Sequence, residues 1–212
     1  MTSSEAIFDS AVDPPLRGFL HHPLHPPGDG LVLTHGAGSN CEAALLVRLA
    51  EAFAAQGYLV LRYDLPFRRS GGSPHPSRSA RDREGVAQAV AAVRSLTGGR
   101  IFAAGHSYGG RQSAMAAAER PEMAQALLLL SYPLHPPKRA DQMRTSYFPE
   151  LRTPALFVHG TRDPFGTLEE LREAITLIPA RTGLLVVDRA GHDLKRAGDL
   201  AGEILTRLSG LV

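Results

Sequence analysis

The chain contains 212 residues, of which 43% are hydrophobic and 21% are charged, and its formal net charge is +2. Scattered lysines and arginines argue against a nucleic-acid-binding face, and the N-terminus has neither the basic nor the apolar segment of a secretory signal. The apolar run 126–130 is too short to span a bilayer, so we expect a cytoplasmic protein with one domain over residues 1–212 and no membrane or nucleic-acid partner.

Short apolar runs alternate with amphipathic stretches along the chain. In chain order, we predict antiparallel strands around residues 7–8 and 16–20, then strands at 31–33, 58–63, 101–104, 126–131, 155–158 and 184–187, with helices at about 42–56, 81–96, 111–119, 168–177 and 194–208. Such alternation is typical of βαβ units. The strands are apolar throughout, as expected where helices cover both faces of a mostly parallel sheet. We therefore predict an α/β fold.

Residues 105–110, GHSYGG, join a predicted strand to a predicted helix. Gly105, Ser107 and Gly109 match the pattern G-x-S-x-G, in which a sharp strand-to-helix turn exposes a nucleophilic serine. Glycines at such a turn let the strand and the helix approach without Cβ clashes. A structural turn serine is the alternative, so the rest of the chain has to supply the partners that a nucleophile needs.

A serine hydroxyl is a weak nucleophile without a base, and the base needs an acid to orient it. On a sheet of this kind the chain order is serine, acid, histidine. Asp163 follows the strand 155–158 and His192 follows the strand 184–187, so both lie in loops at the carboxyl ends of strands. We predict that Ser107, Asp163 and His192 form a catalytic triad.

Asp188 and Asp193 are rival acids because both lie close to His192 in the sequence. An acid on a different loop orients an imidazole better, so Asp163 is the preferred partner. Asp193 is better interpreted as the N-cap of the helix predicted at 194–208. For Asp163, a turn aspartate before Pro164 remains the structural alternative.

The loop THGAGSN, residues 34–40, follows the strand 31–33. A hydrolase of this type takes one oxyanion N–H from the residue after the nucleophile and one from a loop at this position. We assign the two donors to the backbone of Tyr108 and Ala37, with Gly38 as the neighbouring alternative and a possible substrate contact. The position of Tyr108 also places its side chain at the site.

Four motifs together resemble one family: HGAG at 35–38, GHSYG at 105–109, YPLHPP at 132–137 and GTRDPFG at 160–166. The chain resembles small, lidless, dienelactone-hydrolase-like α/β-hydrolases, and the resemblance extends over about residues 31–208. It implies the α/β-hydrolase fold and a serine-hydrolase triad, but no substrate. Dienelactone hydrolases carry cysteine at the elbow where this chain has Ser107, so their substrate is not carried over.

Several other polar residues have both a functional and a structural interpretation. Arg68 and Arg69 follow the strand 58–63 and are candidates to contact an anionic substrate, although solvated loop arginines are more common. The sole cysteine, Cys41, excludes an internal disulfide. A helix N-terminus beside it would lower its thiol pKa, but a small buried residue is the favoured interpretation.

The histidines outside the triad are expected to be structural. We expect His35 to fix the oxyanion loop and His106 to pack under the elbow. The cluster His21, His22 and His25 lies near prolines and has no carboxylate partner, so an exposed loop is favoured over a metal site. We predict no metal and no cofactor.

Residues 132–154 between two predicted strands leave no room for a large helical lid, so we predict an open site for small esters. The predicted function is a serine hydrolase that acts on small carboxylic esters or thioesters through an acyl-enzyme. One alternative is a non-catalytic interaction module on the same fold. A dinucleotide-binding protein is less favoured, because Gly36 and Gly38 are followed by Cys41 where a third glycine belongs.

Overall fold

The computed structural model describes residues 2–195 and 200–212. The strands are β1 (Ser3–Asp9), β2 (Leu16–His22), β3 (Gly30–Thr34), β4 (Leu59–Tyr63), β5 (Ile101–His106), β6 (Ala126–Leu130), β7 (Ala155–Gly160) and β8 (Thr182–Val187). The α-helices are α1 (Ala44–Ala55), α2 (Pro66–Arg69), α3 (Ser79–Arg94), α4 (Tyr108–Glu119), α5 (Leu168–Ile175) and α6 (Leu200–Ser209). Short 3₁₀ turns lie at Pro76–Arg78, Pro121–Met123 and Phe148–Glu150.

The described strands form one eight-stranded sheet in the order β1-β2-β4-β3-β5-β6-β7-β8. β2 pairs antiparallel with β1 and with β4, whereas every pair from β4 to β8 is parallel. The predicted mostly parallel sheet with an antiparallel start is confirmed. The chain leaves β3 toward β4 on one side and returns to β5 on the other, and ligands bind at such switch points in open α/β sheets.

Helices cover both faces of the sheet, as predicted. Side chains alternate along β3, so Val32 packs in the core that α3 and α4 cover, whereas Leu31 and Leu33 pack in the core that α1 and α6 cover. Every residue of β3, β4, β6 and β7 is consequently buried. The apolar character of these strands therefore follows from two-sided packing.

Some predicted boundaries are wrong. A helix does not begin at Leu194, whose φ of 52° lies outside the helical region, and residues 196–199 of that predicted helix lie outside the described residues. Helix α4 begins at Tyr108, three residues earlier than predicted, because the turn at Ser107 leads straight into it. The predicted loop at His21 is part of strand β2, where pairing with β4 decides the conformation.

The connection from β6 to β7 contains a 3₁₀ turn at Phe148–Glu150 and no α-helix, so the prediction that a large lid is absent is confirmed. No helix within the described residues is long and apolar enough to cross a membrane. The carboxyl ends of β3, β5, β7 and β8 meet at one edge of the sheet, and the loops that follow them carry the candidate site.

Candidate active site

Ser107 occupies a strained turn between β5 and α4. Its φ of 51° and ψ of −116° are rare for a residue with a side chain. The turn is tight because a Cβ on Gly105 would lie 2.4 Å from the Gly109 carbonyl carbon, and one on Gly109 would lie 2.6 Å from the His35 carbonyl oxygen. Glycine is therefore required at both positions, which accounts for the spacing of the motif.

The structure brings together the three side chains that the sequence predicts as a triad. His192 Nε2 lies 2.8 Å from Ser107 Oγ, and His192 Nδ1 lies 2.8 Å and 3.0 Å from the carboxylate oxygens of Asp163. Because a carboxylate only accepts, Nδ1 carries the proton and Nε2 is free to accept from the serine hydroxyl. The arrangement has the geometry of a nucleophile, a base and an orienting acid.

Asp163 is completely buried and ionised. Burial opposes ionisation of its carboxyl, but the hydrogen bond from His192 and the one from the Phe165 N–H, at 2.9 Å, hold its pKa below the usual range. The side chain of Asp163 has no exposed surface, so its negative charge is directed at the imidazole. This charge would stabilise a protonated His192.

Two neighbours fix the position of His192. The Phe165 ring lies against the imidazole, with ring centroids 4.3 Å apart. His106 Nε2 donates to the His192 carbonyl oxygen at 2.7 Å. Burial lowers the pKa of His106, so its ring is neutral. The expectation that His106 only packs under the elbow is therefore incomplete, because it also joins the elbow to the histidine loop.

The two rival acids, Asp188 and Asp193, form ion pairs with residues other than His192. Asp188 pairs with Arg189 at 3.1 Å, and Asp193 pairs with Lys195 at 2.8 Å. Asp193 accepts the backbone N–H of Lys195 at 3.2 Å, which closes a local turn and does not cap a helix at Leu194. Both carboxylates are exposed, and neither bonds to His192 in the described part of the chain.

The loop after β3 presents free backbone N–H groups beside Ser107. Among the described residues, no acceptor bonds to the N–H of Ala37, Gly38 or Tyr108. The His35 ring fixes the peptide that carries the Ala37 N–H, because its Nδ1–H donates to the Gly36 carbonyl at 2.9 Å. In a planar trans peptide the N–H points opposite to the carbonyl, so this bond sets the direction of the Ala37 N–H.

Further contacts hold the same loop. His35 Nε2 accepts from the Leu65 N–H at 3.0 Å, consistent with a neutral ring whose pKa is lowered by burial. Arg68 donates from Nη2 to the Ala37 carbonyl at 2.8 Å, which fixes the peptide that carries the Gly38 N–H. The predicted role of His35 in fixing this loop matches these contacts, and Arg68 is a second support.

The adjacent arginines point in different directions. Arg68 contacts the oxyanion loop, whereas Arg69 donates to the Pro15 carbonyl at 2.6 Å and lies over the Phe8 ring. Neither lines the cavity that contains Ser107. Gly38 is exposed, and a Cβ there would meet nothing within 4 Å, so it lies at the open surface of the loop.

Cys41 is a buried thiol, which is the favoured interpretation of the sequence. Burial, followed by the charge of Asp64, raises the pKa of Cys41 to about 12. The alternative interpretation, in which a helix N-terminus lowers the thiol pKa, is therefore wrong, because α1 begins only at Ala44. The thiol stays protonated and unreactive at neutral pH.

The histidine cluster near the N-terminus is divided among three environments. His21 is buried in β2 and accepts from Arg62 Nε at 2.8 Å, and burial with the Arg62 charge lowers the pKa of His21 to about 4. His22 lies 2.9 Å from Glu5, and His25 is exposed. The predicted exposed loop is wrong for His21 and His22, which lie in β2, and the expected lack of a carboxylate partner is wrong for His22, which pairs with Glu5 of β1.

A cavity of about 630 Å³ opens beside Ser107. Its walls come from the loop before α3, from α4, from the β6–β7 connection and from Phe165; the lining includes Pro74, His75, Arg83, Tyr108, Arg111, Met115, Pro133 and Arg144. Arg111 and Arg144 were not predicted as site residues. Arg111 had a signal, because it lies in the first turns of the helix that begins directly after the elbow serine.

The comparisons with known proteins agree with this architecture. A family model described as an alpha/beta hydrolase domain matches residues 19–204. A dienelactone hydrolase structure from Anabaena variabilis aligns with a TM-score of 0.75 at 21% identity, covering 99% of this chain and 96% of the other. Est1E from Butyrivibrio proteoclasticus aligns with a TM-score of 0.77 at 18% identity, covering 96% and 97%.

A third structure, an α/β serine hydrolase without a lid from Xanthomonas campestris, aligns with a TM-score of 0.76 at 18% identity, covering 98% of this chain and 94% of the other. These identities are low, so the structures support the fold, whereas the family model extends over most of the chain. The chain belongs to the alpha/beta hydrolase family.

Proposed function

We propose that this hydrolase cleaves small carboxylic esters or thioesters through a covalent acyl-enzyme formed on Ser107. The observation that carries the proposal is the continuous hydrogen-bonded series from Asp163 through His192 to Ser107 Oγ. Each distance is within hydrogen-bonding range, and the His192 tautomer that donates to Asp163 is the one that can accept the serine proton.

In the proposed reaction, His192 Nε2 takes the proton from Ser107 Oγ as the oxygen attacks the carbonyl carbon of the ester. The Asp163 carboxylate stabilises the imidazolium that forms, without taking the proton itself. The imidazolium then protonates the leaving alcohol or thiol, and an acyl-enzyme remains. Water, deprotonated by His192, attacks the acyl carbon and releases the acid.

The negative charge that develops on the carbonyl oxygen needs donors that have no other acceptor. The Tyr108 and Ala37 N–H groups meet this requirement in the described structure, and Gly38 offers a neighbouring donor. Donors that are already oriented stabilise the transition state without reorganisation when the charge appears. We assign the oxyanion hole to Tyr108 and Ala37.

The shape of the site supports a small substrate. The β6–β7 connection adds no large lid, and the cavity beside Ser107 holds about 630 Å³. Prolines at positions 74, 76 and 133 stiffen its walls. A small-molecule ester can enter such a site directly, and no cofactor takes part in the steps above.

Labelling with a fluorophosphonate probe tests the proposal without a choice of substrate. The wild-type protein is expected to be labelled, and Ser107→Ala is expected to lose the label while keeping its circular dichroism spectrum. Ser113→Ala is a matched control, because Ser113 is buried on the same helix and away from the cavity lining. Folded wild-type protein that resists the probe would favour a non-catalytic interaction module instead.

A further inference from the structure

Two arginines line the cavity that contains Ser107. Arg111 lies one helical turn beyond Ser107 on α4, and Arg144 belongs to the connection between β6 and β7. Met115 extends the same face of α4 by another turn. Arg111 and Met115 therefore share one face of α4, and Ser107, the residue just before the helix, lines the same cavity.

Neither arginine has a carboxylate partner in the described part of the chain. Within residues 2–195 and 200–212, Arg111 Nε is buried without a hydrogen-bond acceptor and the Arg111 guanidinium forms no ion pair. Among the same residues, the one acceptor for the Arg144 guanidinium is the Pro133 carbonyl, at 3.3 Å. Arg83 lines the same cavity but differs, because its charge is paired with Glu119 at 2.8 Å.

The two unpaired charges act on one another. Burial and the positive charge of Arg111 lower the pKa of Arg144. The charges of both arginines also act on Tyr132 and Tyr147, whose hydroxyls lie 2.5 Å apart. Burial raises the pKa of Tyr132 to about 12 and that of Tyr147 well above its usual value, so both stay neutral. No described protein group balances the charges.

Partly buried charges of one sign are unfavourable unless an anion joins them. We infer that Arg111 and Arg144 form the binding site for a carboxylate that the ester substrate itself carries. A guanidinium presents its N–H groups as a planar fork that matches the two oxygens of a carboxylate. The inference rests on the proposed function and adds the class of substrate: a small ester with an anionic end.

The position of the pair sets where that carboxylate lies. Four residues of an α-helix rise by about 6 Å, so the Arg111 backbone is offset from the Ser107 backbone along α4, and we expect several bonds between the carboxylate and the reacting carbonyl. Met115, Pro133 and Phe165 supply apolar surface in the same cavity. A monoester of a short dicarboxylic acid has this form: a carbonyl at one end, methylene groups, and a carboxylate at the other end.

The test compares two p-nitrophenyl esters of similar length, the adipate monoester and the neutral heptanoate. Wild type is expected to favour the adipate monoester in kcat/KM by about tenfold or more, the range for hydrogen bonds to charged groups. Arg111→Gln and Arg144→Gln should each lower kcat/KM for the adipate monoester much more than for heptanoate, so that most of this preference is lost. Arg48→Gln removes one exposed charge from α1, on the other face of the sheet, and should keep the preference.

Equal rates for the two wild-type reactions, or equal losses for both esters in the variants, would overturn the inference and leave the proposed serine chemistry intact. Thermal unfolding provides an independent readout. Neutralising an unpaired charge should not lower the unfolding temperature, whereas a marked drop in both variants would assign the arginines a structural role and overturn the inference.

Binding separates the two proposals if Ser107 proves unreactive. Adipate titrated calorimetrically into the Ser107→Ala variant should bind, and binding should be lost when Arg111→Gln or Arg144→Gln is added. Such a result would support the anion site even if the fluorophosphonate probe fails to label wild type. No adipate binding to either the wild type or the Ser107→Ala variant would overturn the anion site, whatever the outcome of labelling.

Discussion

Two cavities of nearly equal size lie at opposite ends of the parallel strands. The cavity at the amino ends holds about 610 Å³, and the one at the carboxyl ends holds about 630 Å³. Arginines line both. At the amino ends, Arg100 pairs with Asp29 at 2.7 Å and Arg94 donates to the Met123 carbonyl at 2.6 Å. At the carboxyl ends, Arg111 has no such partner in the described structure.

The two cavities differ in how many of their polar groups lack a hydrogen-bond or ionic partner. At the carboxyl ends a strained serine, free backbone N–H groups and unpaired guanidinium groups converge, whereas the arginines at the amino ends are bonded or exposed to solvent, as Arg152 is. Buried polar groups are normally satisfied within a protein. A cluster of polar groups without partners therefore distinguishes the carboxyl ends of the strands as the candidate binding site. The volumes of the two cavities alone do not make this distinction.

The largest expected effect concerns the acid that orients His192. Asp163→Asn should lower kcat on any ester substrate by about 10⁴-fold, because an amide no longer selects the Nδ1–H tautomer or stabilises the imidazolium. Steady-state kinetics at neutral pH measure this loss. Asp188→Asn is the matched control, since Asp188 pairs with Arg189 on the surface. Similar losses in the two variants would contradict the assignment of Asp163.

A smaller effect is expected at the oxyanion loop. Arg68→Gln should lower kcat by up to about tenfold, well below the loss that follows when an oxyanion donor is removed outright, because the Ala37 carbonyl loses its partner while His35 still holds the peptide of the assigned Ala37 N–H. Arg69→Gln is the control, because its guanidinium contacts Pro15 and Phe8. The comparison of kcat with KM is informative here, since a change confined to KM would mean that Arg68 contacts substrate and does not position the loop.

Backbone strain at the elbow predicts a change in stability of about 1 kcal/mol. Ser107→Gly should raise the free energy of unfolding relative to Ser107→Ala, because glycine tolerates a positive φ and alanine does not. Both variants lack the hydroxyl, so their difference isolates the backbone. Denaturant titration gives the two free energies, and an alanine variant that is at least as stable as the glycine variant would show that the turn is unstrained.

The smallest expected effect is at the amino-end cavity. Arg100→Gln should lower the free energy of unfolding by about 0.5–1 kcal/mol, the usual range for a half-exposed ion pair, and should leave ester hydrolysis unchanged. Added salt should shrink the difference between this variant and wild type. If Arg100→Gln lost ester hydrolysis, the cavity at the amino ends of the strands would also be needed for the reaction, and the proposed difference between the two cavities would be wrong.

The sheet and the arrangement around Ser107 could be predicted because their signals are local in the sequence. Apolar strands and amphipathic helices have their own periodicities, and the motif encodes a close backbone approach, since a Cβ on Gly105 would lie 2.4 Å from the Gly109 carbonyl carbon. Asp163 and His192 follow strands whose order the fold fixes. The structure shows the hydrogen bonds that join them to each other and to Ser107, and the Asp163→Asn variant tests the role of Asp163 in catalysis.

Features that depend on tertiary contact could not be predicted in the same way. Arg68 and Arg69 are neighbours in the sequence, but the short helix α2 sends one toward Ala37 and the other toward Pro15. Arg144 reaches the cavity only because the β6–β7 connection folds back over α4. Whether an arginine has an ionic partner is a property of the packed molecule, and the sequence does not specify it.

In an acyl-enzyme, Ser107 Oγ would be esterified and could no longer donate to His192, so the base would enter the second half-reaction without one of its contacts. His106 precedes Ser107 in the chain, and its bond to the His192 carbonyl involves none of the reacting atoms. That bond would persist while the leaving group departs and water takes its place. The turn that carries Ser107, which would be acylated, thus also carries His106, which would hold the His192 backbone in place during acylation and deacylation.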